Sequence, residues 1–369
     1  MANLTEEQIL ALPMEFNLAD GHAYRGWNSQ ESHLIDRVAD IFRSVDRRDR
    51  LAIEKSYLRT FFAAAGQSFR PDRFEHHLCF TASMALEAIA NLLRAKGLSV
   101  ALVEPCFDNL YDILTRHGIQ PERISEDLMR LSGSALADRL KAVRSDVLML
   151  VSPNNPTGVT LEKEALQQII EFCRANGRML VLDATFRFYV PPSEVYDQYG
   201  MLADSGVDCI LVEDTGKTWP TLELKAPFFS VSTGLAEQLS HIYSDFVLHV
   251  SPVSVALLEQ FIGLGMAHVR EVVDVNRRSL HDAIQGAELV PTSASFMSVE
   301  WLRITDDATS DQWRLRLASA GVQVLAGHRF FWSQPQVGDK YLRVALVRDP
   351  SMFLAAAARI SKCVRINCS

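Results

Sequence analysis

No glycine-rich phosphate loop, no paired-cysteine spacing, no long uncharged apolar run and no basic block occurs in this chain of 369 residues. Each absence removes a class of function. Gly216-Lys217-Thr218 in "LVEDTGKTWP" ends as a nucleotide-binding P-loop does. That loop needs a glycine five residues before Gly216, where Leu211 stands. The cysteines Cys79, Cys106, Cys173, Cys209, Cys363 and Cys368 form no CxxC pair and no disulfide framework. No metal site is expected. No apolar run reaches the ~18 uncharged residues of a membrane span. The densest basic stretch, "RSVDRRDR" (Arg43 to Arg50), carries two aspartates and suits a solvated helix face. With a net charge of −8, nucleic acid is not an expected partner. "MANLTEEQ" at the start lacks a signal-peptide pattern and the cysteines suit a reducing compartment, so a cytoplasmic protein is expected.

What is present reads as an α/β protein of two or three domains. "LSVALVEP" (98–105), "DVLMLVSP" (146–153), "RMLVLDA" (178–184) and "DCILVED" (208–214) are apolar runs too short and too uniform for amphipathic helices. Between the second and third, Leu166, Ile169, Ile170 and Cys173 recur at helical spacing before an Asn176-Gly177 stop. This βαβ alternation predicts a mostly parallel sheet. A further helix is predicted in "TASMALEAIANLLRAKG", capped by Thr81 or Ser83. From about 246 the pattern changes to one long helix-like segment, "VSVALLEQFIGLGMAHVREVVDVNRRSL", then to shorter strands such as "SFMSVEWL" and "KYLRVALV". A smaller α+β domain is expected there. The division is 1–32 as an N-terminal helix and lid, 33–245 as the large domain, and 246–369 as linking helix and small domain.

In open α/β sheets, ligands bind outside the carboxyl ends of the strands. There the sequence places Asn155 in "SPNNPTG", then Asp183, then Lys217. An amide, a carboxylate and a lysine from three strand ends suit pyridoxal 5′-phosphate. The lysine forms the Schiff base, the carboxylate keeps the pyridine nitrogen protonated, and the amide bonds the phenolate oxygen.

The order NPTG, Asp, Lys resembles the fold-type I aminotransferase superfamily. That resemblance implies a three-layer αβα large domain that holds the cofactor, beside the smaller α+β domain. It also implies a homodimer with active sites at the subunit interface. Residue by residue, it implies a phosphate seat at Thr81, Ala82, Ser83 and Met84 and an aromatic on the pyridine ring at Phe107. It implies cofactor contacts from Thr185 and Tyr243, the latter to its own or a partner's phosphate. Arg343 in "YLRVALV" matches the arginine for the substrate carboxylate; strand alternation separates it from Leu342, Val344 and Leu346. Two positions depart from the pattern. Lys225 stands where the superfamily has a phosphate-binding arginine, and Asp214 where it often has a phosphate-binding serine.

With "NLADGHAYRG", "EPCFDNL", "LDATFRFY", "EDTGKTWPTLELKA" and "HIYSDFVLHVSP", the chain from about Leu4 to Arg348 resembles a subgroup. These are the dioxygen-using, pyridoxal-phosphate-dependent L-arginine oxidases and hydroxylases of bacterial natural-product pathways such as that of enduracididine. The resemblance implies L-arginine and dioxygen as substrates and a 4-hydroxy-2-oxo acid or a dehydroarginine as product. An N-terminal helix is implied over the site, with Asp214, Thr5 and Gln8 on the guanidinium, Asp20 at the substrate, and His22 as a catalytic residue beside Lys217 and Asp183. Gln8 replaces a glutamate of the subgroup. "TEEQ" is equally a capping box with Thr5 as N-cap, and Glu7 or Glu15 is then a source of the missing charge. Two other activities stay open: a conventional aminotransferase for a basic amino acid, and a cofactor-binding regulator.

Overall fold

The apolar runs between 98 and 214 become strands in which every side chain is buried, as in sheets covered on both faces. The computed structural model describes residues 3–293 and 296–365; Cys368 lies outside them. In chain order the large sheet contains β1 (Phe74–Leu78), β2 (Val100–Glu104), β3 (Glu122–Ser125), β4 (Val147–Val151), β5 (Met179–Asp183), β6 (Cys209–Glu213) and β7 (Phe228–Ser232). In space they lie in the order β1-β7-β6-β5-β4-β2-β3. Strand β7 runs against both its neighbours, and every other pairing is parallel. The register pairs Val151 with Asp183 and Asp183 with Val212, so β4, β5 and β6 end level. Their following residues emerge along one edge.

Helix α1 is Leu4–Ala11, α2 is Arg50–Ala64, α3 is Ala82–Ala95 and α4 is Lys163–Asn176. Helix α4 buries the predicted stripe Leu166, Ile169, Ile170 and Cys173 and stops at Gly177, whose φ of 61° suits a residue without Cβ. Thr81, not Ser83, caps α3, its hydroxyl accepting from the Met84 amide. Asn3, not Thr5, caps α1, in a capping box with Glu6. An asparagine side chain reaches its N3 amide as well as a threonine does, so Thr5 is free to face elsewhere. "RSVDRRDR" is no single helix face: it spans the end of helix Val38–Val45, a turn, and the start of α2.

The segment expected as one long helix is two, α5 (Pro252–Gly263) and α6 (Ala267–Ile284), set 73° apart. Gly265 lies between them with φ 77°, outside helical space. The break changes cores. Helix α5 buries Val255, Leu258 and Phe261 with the large sheet, whereas α6 buries Val269, Val273 and Leu280 in a second cluster. That cluster lies on an antiparallel sheet of β8 (Leu289–Pro291), β9 (Val299–Ile304), β10 (Leu325–Ala326) and β11 (Tyr341–Ala345), in the order β10-β11-β9-β8. The N-terminal segment joins it: Phe16 and Asn17 pair with Val322 and Gln323. No single helix among the described residues is long and apolar enough to cross a membrane.

Candidate active site

Where β4, β5 and β6 end, a cavity of about 270 Å³ opens between the two cores. Asn155, Asp183 and Lys217 all line it. A larger cleft, about 510 Å³ beside Arg187 and Tyr196, contains none of the three. Lys217 is fixed from behind, its carbonyl accepting from the Tyr189 hydroxyl at 2.7 Å. Burial lowers the pKa of its amine, which favours the nucleophilic neutral form. Asp183 accepts the Thr185 amide at 3.0 Å, and Thr185 shares the cavity wall. The NPTG turn is clamped by a residue that sequence reasoning passed over, Glu126. Its carboxylate accepts from Asn154 at 2.7 Å and from the Thr157 hydroxyl at 2.5 Å. Asn155 is thereby turned into the cavity. Its carbonyl oxygen accepts from Arg343 at 3.3 Å, so its amide NH2 is the part left for a ligand oxygen.

Thr81, Ala82 and Ser83 bring the N-terminus of α3 to the wall, where backbone N–H groups and the helix dipole favour an anion. Met84 is one residue too far along: its amide is used by the Thr81 cap, and its side chain packs on the core. Tyr243 does not line the cavity, and its hydroxyl donates to the Leu78 carbonyl. Phe107 lines the wall, with the Arg343 guanidinium 5.8 Å from its ring.

Arg343 is 1% exposed. It donates to the Ala19 carbonyl and to Asn155, and its Nε has no acceptor. No ion pair engages it among the described residues. Burial lowers its pKa to about 10, so the group stays cationic at neutral pH. Asp214, also in the wall, accepts the Thr215 and Gly216 amides at 2.7 and 3.0 Å and has no ion-pair partner among the described residues. Thr5 and Gln8 bring α1 to the same cavity, with Gln8 donating to the Ala19 carbonyl at 3.4 Å. Neither Glu7 nor Glu15 lines it. Burial raises the pKa of Glu7, opposed by Arg314 and Arg329 on the outer side of α1, and the Glu15 carboxylate lies near Gly321.

His22 completes the site. Its Nδ1 lies 2.6 Å from Asp20, and its Nε2 lies 2.8 Å from Lys225 Nζ and 3.2 Å from Lys217 Nζ. Ammonium groups only donate, so the proton sits on Nδ1 and Nε2 holds the lone pair. Burial and the Lys217 charge lower the His22 pKa, against the pull of Asp20. Although burial works to raise it, hydrogen bonds and charge from His22, with Lys217, hold the Asp20 carboxyl well below the usual range. A Cβ at Gly216 would meet Lys225 Cε at 2.9 Å and His22 Cδ2 at 3.2 Å, so a larger residue there displaces the Lys225 side chain. Asp20, His22 and Glu223 bring three ligand atoms within 4.8 Å of one another. The Lys225 ammonium already lies against two of these groups, which disfavours a metal cation.

Chemically the donor set is an anion seat, an amine, and a buried carboxylate with no ion pair among the described residues, which is what pyridoxal 5′-phosphate requires. Burial pushes Asp183 from 3.8 up to about 6, because only Thr185 and the more distant Lys217 charge favour the anion. A raised folded-state pKa stabilises below the unfolded value and loses that contribution as pH rises through about 6. Two units correspond to roughly 3 kcal/mol. Asp183→Asn is therefore expected to raise the melting temperature of cofactor-stripped protein at about pH 8 and not at about pH 4. The same change weakens cofactor retention. Melting curves at the two pH values check the sign.

The family profile of aminotransferase class I and II matches residues 77–360. The solved structure of MppP soaked with the product 2-ketoarginine superposes with a TM-score of 0.86 at 29% identity, over 94% of this chain and 98% of that one. LysN, the α-aminoadipate aminotransferase of Thermus thermophilus, superposes with a TM-score of 0.78 at 17% identity, over 99% and 95%, a likeness of fold. The chloroplastic LL-diaminopimelate aminotransferase of Arabidopsis thaliana is 40% identical over 47 residues, 13% of this chain and 10% of that protein. The enzyme of the same name from Agathobacter rectalis is 40% identical over 50 residues, 14% and 12%. The matched segment thus spans about a tenth of the length of these curated relatives.

Proposed function

The chain belongs to the aminotransferase class I and II family, and on that premise we propose that it oxidises L-arginine with dioxygen, holding pyridoxal 5′-phosphate on Lys217. One observation carries the proposal: a single cavity contains Arg343, a guanidinium with no carboxylate partner among the described residues, and a spare carboxylate, Asp214. A substrate α-carboxylate answers the first in bidentate fashion, and a cationic side chain answers the second. The likeness to MppP, solved with 2-ketoarginine, favours arginine among cationic amino acids.

When bound, pyridoxal 5′-phosphate supplies the electron sink at the carbon bearing the amino group. The chain supplies the rest. Arg343 and Asn155 fix the carboxylate end, and Asp214, Thr5 and Gln8 hold the guanidinium. Lys217 Nζ takes the α-proton. Asp183 keeps a proton on the facing ring nitrogen. His22 presents its Nε2 lone pair 3.2 Å from Lys217 Nζ, placed to accept a proton from water that adds to the substrate side chain. Water addition, with dioxygen reduced to hydrogen peroxide and the amino group leaving as ammonia, leads to a 4-hydroxy-2-oxo acid, and release without water addition leads to a dehydroarginine. The proposal extends to a homodimer. Phe80, Phe246 and Leu248 are 48%, 42% and 87% exposed, and Tyr243, packed against Phe246, is the residue it assigns to the neighbouring subunit's cofactor.

Oxygen uptake with L-arginine and no 2-oxo acid acceptor tests this, with product masses read from the same reaction. Uptake with a hydroxylated or unsaturated product is expected. The matches to LL-diaminopimelate aminotransferases favour a second activity, amino transfer from a basic amino acid. Transfer that needs an acceptor and consumes no oxygen supports that one instead.

A further inference from the structure

Between Thr221 and Leu224 the chain makes a turn that its residues do not favour. Leu222 and Glu223 have φ of 51° and 68°, both in the left-handed region. A turn with two such central positions normally takes asparagine and glycine. It is closed by the Leu224 amide on the Thr221 carbonyl at 3.0 Å and by the Thr221 hydroxyl on the Leu224 carbonyl at 2.7 Å. Packing does not hold it, for Leu222 is 71% exposed and Leu224 43%. Its inward contacts belong to Glu223. The carboxylate pairs with Lys225, accepts the Tyr24 hydroxyl at 2.6 Å and lies 4.0 Å from His22 Nδ1. Strain retained at a site rim, with one side chain aimed inward, is the pattern of a functional constraint.

We propose that Glu223 is a positioning residue whose carboxylate holds the Lys225 ammonium on Nε2 of His22. Lys225 Nζ is the nearer donor to Nε2, at 2.8 Å, and the Glu223 carboxylate is its ion-pair partner among the described residues. Glu223 anchors this ammonium, so Lys225 stays in place and the Nδ1–H tautomer of His22 stays fixed against Asp20. The groups facing His22 come from three directions. Asp20 and Tyr24 belong to its own loop, Lys217, Glu223 and Lys225 to the loop after β6, and Arg343 and Arg348 approach from the small sheet. Of these, Glu223 is the half-exposed one, and therefore the one whose removal perturbs the core least. The role assigned to His22 rests on the oxidase proposal, but the contact between Glu223, Lys225 and His22 does not.

The test is an NMR titration of the His22 Cε1–H signal in holoenzyme, the signal being identified with His22→Gln. Glu223→Gln is expected to raise the His22 midpoint by about one pH unit, a tenfold gain in proton affinity, because the released Lys225 ammonium no longer opposes a proton on Nε2. In a Lys225→Met background the same substitution is expected to shift it by less than about half as much. Leu222→Gly keeps Glu223 while relieving a left-handed leucine, and is expected to raise the melting temperature without moving the midpoint. A midpoint that stays or falls in Glu223→Gln overturns the proposal, a fall being the direct loss of the Glu223 charge beside the ring. So does a full rise that persists in Lys225→Met, since the shift would then not pass through Lys225. The titration requires no turnover, so a chain that transfers amino groups without consuming oxygen leaves this result standing.

Discussion

Lys217→Ala leaves no covalent attachment of pyridoxal 5′-phosphate to the chain and lowers turnover of L-arginine by about 10³–10⁴-fold. The prediction is specific because two lysines compete for the role. Lys225 Nζ is nearer to His22 Nε2, at 2.8 Å against 3.2 Å for Lys217. Proximity to histidine is not the deciding property. Lys225 is ion-paired with Glu223, and a paired ammonium is a poor nucleophile. Among the described residues Lys217 has no carboxylate in ion-pair contact, and burial lowers its pKa. It also follows β6, level with Asp183 at the end of β5, so the amine and the ring-nitrogen partner face one ligand. Borohydride reduction followed by peptide mass analysis reads the result directly. The label is expected on the Lys217 peptide in the parent and in Lys225→Ala, and on neither lysine in Lys217→Ala. A label on Lys225 would overturn the assignment.

What was legible in the sequence follows from how local each signal is. The strands are continuous apolar runs, and their ends carry Asn155, Asp183 and Lys217, so topology alone brings these three together. Arg343 was legible because strand alternation is local: Leu342, Val344 and Leu346 enter the second core while Arg343 turns away from them. The bend between α5 and α6 was not legible, because the apolar pattern continues through residues 264–266 while the partner core changes. Nor was the cap of α1, since Asn3 and Thr5 are both good caps and only tertiary placement decides. The residues around His22 were the hardest. Tyr24 and Glu223 are 199 positions apart, and Glu223 reaches its place through a backbone conformation that its residue type disfavours.

Arg348 was missed for a further reason: it serves backbone rather than side chains. It is 1% exposed and engages no carboxylate in an ion pair among the described residues. Its guanidinium donates to the Asn17 carbonyl at 2.7 Å, the His22 carbonyl at 2.8 Å, the Val347 carbonyl at 2.9 Å and the Asp20 carbonyl, and lies 5.2 Å from the Tyr24 ring. Four carbonyl dipoles therefore solvate one buried cation, and three of them belong to the loop that carries Asp20 and His22. Burial alone would make the charge costly, and it lowers the pKa to about 10. Arg348→Met keeps the bulk but takes the guanidinium from the Asn17, Asp20 and His22 carbonyls, each loss costing about 1–3 kcal/mol where water cannot reach, while Val347 keeps the Tyr24 amide. Partial relaxation of the loop reduces the sum, so a net loss of about 3–5 kcal/mol is expected in denaturant unfolding. Arg348→Lys restores the charge with three donors on one atom, which cannot span carbonyls arranged for a planar fork. It is expected to recover less than half of the loss. Because the Arg343 bond to Ala19 remains in either variant, the loop loosens around His22 more than at Ala19. Hydrogen exchange at the His22 and Ala23 amides, which bond to Asp20 and to the Gly216 carbonyl, is expected to speed up well before the large sheet opens. Unchanged exchange there, together with an unchanged unfolding midpoint, would show that the small sheet holds this loop without Arg348.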